Sequence, residues 1–412
     1  MKERVAIIAV KTQKDEDERF SYSLQELTQL VETANGEVIF TSTQNRPKPH
    51  PRYYMGEGKL EELQEQMEEE EIDLLISNGE LSGSQIRNIQ EHVGVKVIDR
   101  SQLILDIFAL RAKTKEGKLQ VELAQYEYML PRIHGQGEAM SKLAGGIGTR
   151  GPGESKLESD RRHIRRRMKE IKDRLEAVVK QREQYRTRRK RNHTTQVAIV
   201  GYTNAGKSTL FNALTNSTSL QEDKLFATLD PLTRQLRLPS GLEIIMSDTV
   251  GFIQDLPTSL VAAFRSTLEE VTEADFILHV IDASATNYLD HENTVISLLN
   301  DLEAENIPML TIYNKKDLVE QTFTPSSVPF ELISALDSDD VERVTHSLEK
   351  LIKTEWVSFS SFVSASEGKI LDLMRKHSIL TEEKFIEAEN QYFIEGFIEP
   401  THPVNQYLKG KN

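Results

Sequence analysis

Gly201-Tyr202-Thr203-Asn204-Ala205-Gly206-Lys207-Ser208 has the form G-x-x-x-x-G-K-S and follows the apolar run Val197–Val200. Between a strand and a helix, such an octet cradles phosphate. Its glycines let successive backbone N–H groups turn inward, and the helix start adds its positive end. Lys207 is expected to reach the β- and γ-phosphates of a nucleoside triphosphate, and the Ser208 hydroxyl to coordinate Mg²⁺. Asp248-Thr249-Val250-Gly251 follows a second apolar run, Glu243–Ser247. There Asp248 can hold a water on the metal, and the Gly251 N–H can meet the γ-phosphate, so that the segment behind it senses whether that phosphate is present. Between these motifs lies Phe226-Ala227-Thr228-Leu229-Asp230. Thr228 is expected to complete the metal shell in preference to Thr233.

The choice of base rests further on. Asn314-Lys315-Lys316-Asp317 follows the apolar run Met309–Tyr313. The Asp317 carboxylate can accept both N1–H and the exocyclic amino group of guanine, a donor pair that adenine does not offer, so GTP is favoured over ATP. Four residues are a weak signal alone and a strong one downstream of a phosphate loop. A backbone N–H for guanine O6 is expected from Ser334-Ala335-Leu336 rather than from the similar Ser364-Ala365. The catalytic set is then Lys207 and Gly251, with the water-orienting group unassigned. Phe252 stands where many small GTPases carry a glutamine and cannot hydrogen-bond a water. Slow intrinsic hydrolysis, completed by a partner, is the expectation.

These loops need a sheet to hold them. From Gln196 to Ile352 strands alternate with helices, and the runs Phe276–Ile281 and Met309–Tyr313 are apolar throughout, as buried parallel strands are. The fold class is α/β: a P-loop GTPase domain with a mostly parallel doubly wound sheet, preceded by a small α/β domain and a long helical hairpin, and followed by a small α/β C-terminal domain. The expected divisions are 1–110, 111–193 with a glycine-rich loop at 131–155, 194–353, and 354–412. In the first, Val5–Val10, Glu37–Thr43, Ile72–Ser77 and Val95–Asp99 read as strands, separated by helical patterns. Ser101–Leu130 reads as one helix ended by Pro131, and a second, arginine-dense helix runs from Ser155 to about Lys190. The last domain reads as strand Val357–Val363, helix Lys369–His377 and strand Gln391–Ile398, either a separate cap or an extension of the sheet.

The chain has 412 residues, enough for about three domains. It has no cysteine, and its ten histidines are scattered singly, which argues against disulfides and a transition-metal centre. The longest apolar runs fall far short of the ~20 residues of a bilayer span, so a cytoplasmic protein is expected. The net charge is −14, yet residues 132–193 hold 19 Lys and Arg against 8 Asp and Glu. A basic segment in an acidic chain suits a directed contact with a polyanion. Arg132, Lys142, Arg150 and Lys156 are the candidate RNA-binding residues, as cations on a flexible backbone that can follow a grooved surface.

Three further stretches carry a resemblance. Leu143–Glu154 (LAGGIGTRGPGE) with Leu157–Arg162 (LESDRR), Gly251–Ile253 with Leu256-Pro257 and Ala263–Glu270 (AFRSTLEE), and Asp99-Arg100 with Ile104–Phe108 and Gly117–Leu123 are similar to the linker, extended second switch and N-terminal region of the HflX family of translational GTPases. The last fifty or so residues match loosely. The resemblance implies a Mg·GTP-bound factor of the large (50S) ribosomal subunit, its hairpin loop reaching ribosomal RNA near the peptidyl-transferase centre, and a monomer is expected. It further implies separation of stalled or idle ribosomes under stress, release after hydrolysis, and a cytoplasmic location that is in part ribosome-associated or membrane-peripheral. The alternative is a GTP-dependent RNA-binding factor in large-subunit assembly.

Overall fold

The computed structural model describes residues 2–13, 15–133, 152–191, 194–216, 225–226, 228, 231–253, 270–319 and 323–405, with backbone alone for 152–157 and 181–191. These fall into two compact units: residues up to 180 together with 225–226, and the remainder.

In the first unit, β1 (Glu3–Lys11), β2 (Gly36–Asn45), β3 (Leu74–Ser77) and β4 (Lys96–Asp99) form a parallel sheet in the order β2-β1-β3-β4. Val5–Val10 is buried along its whole length because β1 is central and covered on both faces. The helices α1 (Asp17–Thr33), α2 (Glu57–Glu69) and α3 (Gly83–Val93) connect the strands. The helical stretch expected from Ser101 to Leu130 is two helices, α4 (Arg100–Arg111) and α5 (Lys115–Arg132). Ala112 is extended and the Thr114 hydroxyl caps the next helix by accepting from the Gly117 N–H, 2.9 Å. Pro131 does not stop α5; it sits inside the final turn, where its missing N–H removes a single backbone bond. Helix α6 (Pro152–Arg191) buries Ile164 and Ile171, one heptad apart, and two ion pairs, Arg167–Glu122 at 2.9 Å and Lys172–Glu127 at 3.2 Å, tie it to α5. The loop between α5 and α6 lies largely outside the described residues.

The second unit contains β5 (Gln196–Gly201), α7 (Lys207–Thr215), β6 (Leu232–Arg237), β7 (Glu243–Asp248), β8 (Phe276–Asp282), α8 (Tyr288–Asp301), β9 (Met309–Asn314), β10 (Phe330–Leu332) and α9 (Ser338–Glu355). The sheet order is β10-β9-β8-β5-β7-β6, parallel except for β6, which pairs antiparallel with β7. All the phosphate and base motifs leave this sheet at the carboxyl ends of β5, β7, β9 and β10, the edge where open α/β sheets bind ligands. A three-stranded antiparallel sheet follows, β11 (Val357–Ser364), β13 (Gln391–Ile398) and β12 (Ser378–Ile386) in spatial order, with α10 (Gly368–His377). It is a sheet of its own, not an extension of the larger one, although Ile379 joins the larger sheet's core. Among the described residues no helix is long and apolar enough to cross a membrane.

Candidate nucleotide site

The octet turns from β5 into α7. Gly206 sits in the left-handed region at φ +91, and a Cβ there would lie 2.2 Å from Asn314 Nδ2. Only glycine permits both the turn and the approach of the base-binding loop. That approach is held by two hydrogen bonds: Asn314 Nδ2 donates to the Ala205 carbonyl at 2.9 Å, and its Oδ1 accepts from the Ala335 N–H at 2.9 Å. One side chain thus locks three motifs that are more than a hundred residues apart in part.

Lys207 is buried and donates from Nζ to the Tyr202 carbonyl at 2.6 Å. Burial pushes its ammonium down to about 8, against the pull of the Asp248 carboxylate. Asp248 is raised from the usual carboxylate range by burial, with Lys207, Ser208 and Thr228 acting the other way. Its Oδ2 accepts from Ser208 Oγ at 2.8 Å and from Thr228 Oγ1 at 2.9 Å, and the two hydroxyls are 2.9 Å apart. Its Oδ1 is buried without a partner among the described residues. Two hydroxyls and a carboxylate with an uncommitted oxygen are hard donors of the kind Mg²⁺ takes, so the residues present fit that ion. Thr233, by contrast, faces Ser247 at 3.4 Å.

Thr249 Oγ1 donates to the Ile199 carbonyl at 2.6 Å, tying the Asp248–Gly251 motif to β5. Beyond it, Phe252 and Tyr202 form a parallel bridge: the Thr203 N–H donates to the Phe252 carbonyl at 2.7 Å and the Phe252 N–H to the Gly201 carbonyl at 3.2 Å. The Phe252 side chain is buried.

Family models match in three blocks: a GTP-binding GTPase N-terminal region over residues 21–109, a GTP-binding GTPase middle region over 111–189, and a 50S ribosome-binding GTPase over 196–315. The GTPase HflX of Alkalihalophilus pseudofirmus is 55% identical, over 92% of this chain and 90% of its own length. The chain belongs to the GTPase HflX family. GTPase HflX of Caldanaerobacter subterraneus is 51% identical over 87% of this chain and 83% of its own, and that of Escherichia coli 46% identical over 72% and 70%. The reaction of the HflX family is hydrolysis of GTP to GDP and phosphate, and the α/β fold is that of a P-loop GTPase.

Within this HflX chain the base loop is more heavily braced than its sequence suggests. Asp340, at the start of α9, is buried and accepts at Oδ2 from the Ser334 N–H at 2.8 Å and from Lys316 Nζ at 2.7 Å, with Arg343 at 3.0 Å from Oδ1. Burial alone would raise its pKa, and these partners outweigh it and lower it. Lys315, at φ +64, pairs with Asp282 at 2.7 Å. Sequence reasoning misses both acids: Asp340 in a helix's first turn reads as an ordinary start signal, and Asp282 as the polar end of an apolar strand. Asp317 and Leu336 are exposed, and Val250 and Ala335 are buried.

Three expectations meet a different placement or none. Residues 225 and 226 belong to the first unit, where the Phe226 ring meets Phe108 edge-on at 4.6 Å and the Leu225 N–H donates to Thr33 Oγ1 at 3.2 Å. Within that unit Phe226 is held by apolar packing. Arg132 donates to the Leu81 and Tyr128 carbonyls and to Asp99 Oδ2, at 3.1, 3.0 and 3.2 Å, and lies over the Tyr128 ring at 3.6 Å. Its guanidinium thus bridges α5, the Leu81 segment and β4 within the first unit. Ala227, Leu229, Asp230, Lys142 and Arg150 lie outside the described residues, as does the side chain of Lys156.

Proposed function

We propose that this chain is a Mg²⁺-dependent GTPase that binds the large ribosomal subunit in its GTP state, separates stalled or idle ribosomes under stress, and is released by hydrolysis. The observation that carries the reading is the Ser208, Thr228 and Asp248 cluster, poised around one uncommitted carboxylate oxygen beside a buried lysine, in a chain that matches the 50S ribosome-binding GTPase model. Lys207 grips the terminal phosphates, Ser208 and Thr228 hold the metal with Asp248 acting through a water, and Gly251 reports the γ-phosphate. Bound Mg²⁺ neutralises charge on the phosphates. Asn314 aligns the loops, its Oδ1 holding the Ala335 N–H, while Asp317 reads guanine beside the Ser334–Leu336 segment.

The division of labour follows 1–110, 111–193, 194–353 and 354–412, with Lys142, Arg150 and Lys156 meeting ribosomal RNA near the peptidyl-transferase centre. The protein works in the cytoplasm as a monomer, partly on ribosomes. Sucrose-gradient sedimentation with intact ribosomes tests this. With GTP or its non-hydrolysable analogue the chain should co-migrate with large subunits released from whole ribosomes, and with GDP it should stay at the top. Binding to immature particles with no effect on whole ribosomes would instead support a role in assembly and overturn the splitting reading.

A further inference from the structure

The hydroxyls in the phosphate-facing loops have nearly all been assigned work by the fold. Ser208 and Thr228 donate to Asp248, and Thr249 donates to Ile199. Thr203 differs. It is 7% exposed, and its Oγ1 is buried with no hydrogen-bond partner among the described residues. A buried hydroxyl without a partner is unfavourable by ~1–3 kcal/mol, so such groups call for an explanation.

The surroundings of Thr203 supply one. A methyl group placed on Gly251 would lie 2.8 Å from Thr203 Cγ2, 3.0 Å from its Cα, and 2.9 Å from Lys207 Nζ. Thr203, Lys207 and the Gly251 backbone thus border the same small space, and Lys207 is the group that draws the terminal phosphate of GTP. The Thr203 main chain is fixed, since its N–H donates to the Phe252 carbonyl at 2.7 Å, so the position of its side chain is set by the second switch segment itself. The neighbouring Phe252 side chain is 3% exposed and apolar, and leaves the hydrolytic step without the amide that other GTPases place there.

We infer that the Thr203 hydroxyl is a further catalytic residue of GTP hydrolysis, donating a hydrogen bond to a γ-phosphoryl oxygen as charge redistributes in the transition state. In that step a water oxygen bonds to the γ-phosphorus, and the bond from that phosphorus to the β–γ bridging oxygen breaks. The electron pair leaves with GDP, and the proton of the water ends on the released phosphate. Thr203 is unchanged, its contribution being a donor held in place before the reaction begins. The inference rests on the reading of Lys207 as the phosphate lysine.

Thr203→Val removes the hydroxyl at nearly constant shape, and Thr203→Ser keeps it. With the full-length protein, single-turnover hydrolysis of GTP should slow about a hundred- to a thousandfold in T203V, the range for loss of one transition-state donor, and stay within about threefold of wild type in T203S. Affinity for GDP should change less than about twofold in either, while GDP with aluminium fluoride should bind wild type and T203S and bind T203V at least about tenfold more weakly, since ligands resembling the transition state report such contacts selectively. A T203V rate within twofold of wild type overturns the inference, as does equal slowing by serine and valine, or a loss of GDP affinity that matches the loss of rate. Lys207→Ala separates the two claims: if it binds GTP as wild type does, the phosphate-loop reading fails, whatever Thr203 does.

Discussion

Tyr202 and His291 lie face to face, their ring centroids 3.9 Å apart and their planes 10° from parallel. The Tyr202 carbonyl is the one that holds Lys207 Nζ, so this stack fixes the first turn of the phosphate loop from α8. Removing the ring with His291→Ala should weaken GDP binding by about three- to tenfold, the equivalent of the ~0.5–1.5 kcal/mol carried by such ring pairs, and His291→Phe should retain it. A fluorescent-GDP titration checks both.

The same histidine predicts an acid sensitivity. Burial pushes His291 down to about 4, against the pull of Asp282 and Asp290, and pushes His279, with Lys207 adding to the effect, down to about 3. Both values lie below the model-peptide 6.5, so between those values and 6.5 the unfolded chain binds more protons than the folded one. Stability is fully present above pH 6.5 and declines as pH falls. Urea midpoints measured from pH 7 to pH 4 should fall, and fall less steeply in His291→Phe; parallel slopes for the two proteins would contradict the assignment.

Lys207 has the opposite consequence for binding. Its folded value of about 8 lies below 10.5, so from pH 8 to 10.5 the folded free protein has lost a proton that the unfolded chain keeps, and this group makes stability rise with pH in that window. Phosphate needs the ammonium, however, so GDP affinity should weaken as pH rises past 8, by about tenfold per unit once the lysine is neutral. Lys207→Arg, which keeps its charge throughout, should flatten that dependence even if its affinity is lower at neutral pH.

Asp340 joins the Ser334 loop to Lys316 and so sets the distance between two base-binding segments. Asp340→Ala leaves the buried Ser334 N–H unpaired, at ~1–3 kcal/mol. GTP affinity is expected to drop about tenfold, with the margin over ATP narrowing because the Ser334–Leu336 segment and the Asp317 carboxylate are no longer held in register. Competition titrations with both nucleotides measure this.

How far the sequence disclosed these relations depends on whether each was local. The phosphate loop, Asp248 motif and Asn314 motif are contiguous and sit directly after apolar runs, so residue type and spacing sufficed. Thr228 was separable from Thr233 only as a preference, and it is the fold that brings Thr228 Oγ1 to 2.9 Å from Ser208 Oγ. Asp340, Asp282 and His291 act through partners on other elements, and nothing in their neighbours marks them. Strands β6 (LTRQLR) and β12 (SILTEEKFI) were missed because their solvent faces are polar and their apolar residues few, which blurs the period of two. Arg132 read as a free cation because its partners Asp99, Leu81 and Tyr128 are unrelated to it in local pattern, Tyr128 excepted at one helical turn.

Asp99 is the centre of that network. Fully buried, it accepts from the Gln102 N–H, the Tyr128 hydroxyl, the Leu81 N–H and Arg132 Nη2, at 2.9, 2.9, 3.0 and 3.2 Å. Asp99→Ala strands a partly buried guanidinium together with three other donors, and should lower the stability of the first unit by ~3–5 kcal/mol, the range for breaking a buried pair. Chemical denaturation followed by circular dichroism reads the loss, and GDP affinity should be unaffected.

The central claim is that one carboxylate selects guanine while a lysine and a ring of amides hold the phosphates. Calorimetric titration of the purified chain with GTP and with ATP in Mg²⁺ tests it most directly. GTP should bind with an affinity at least about a hundredfold above that of ATP, as expected where a site's polar groups would be left unpaired by the wrong base, and Asp317→Ala should erase the difference. Equal uptake of the two nucleotides, or of neither, would contradict the account.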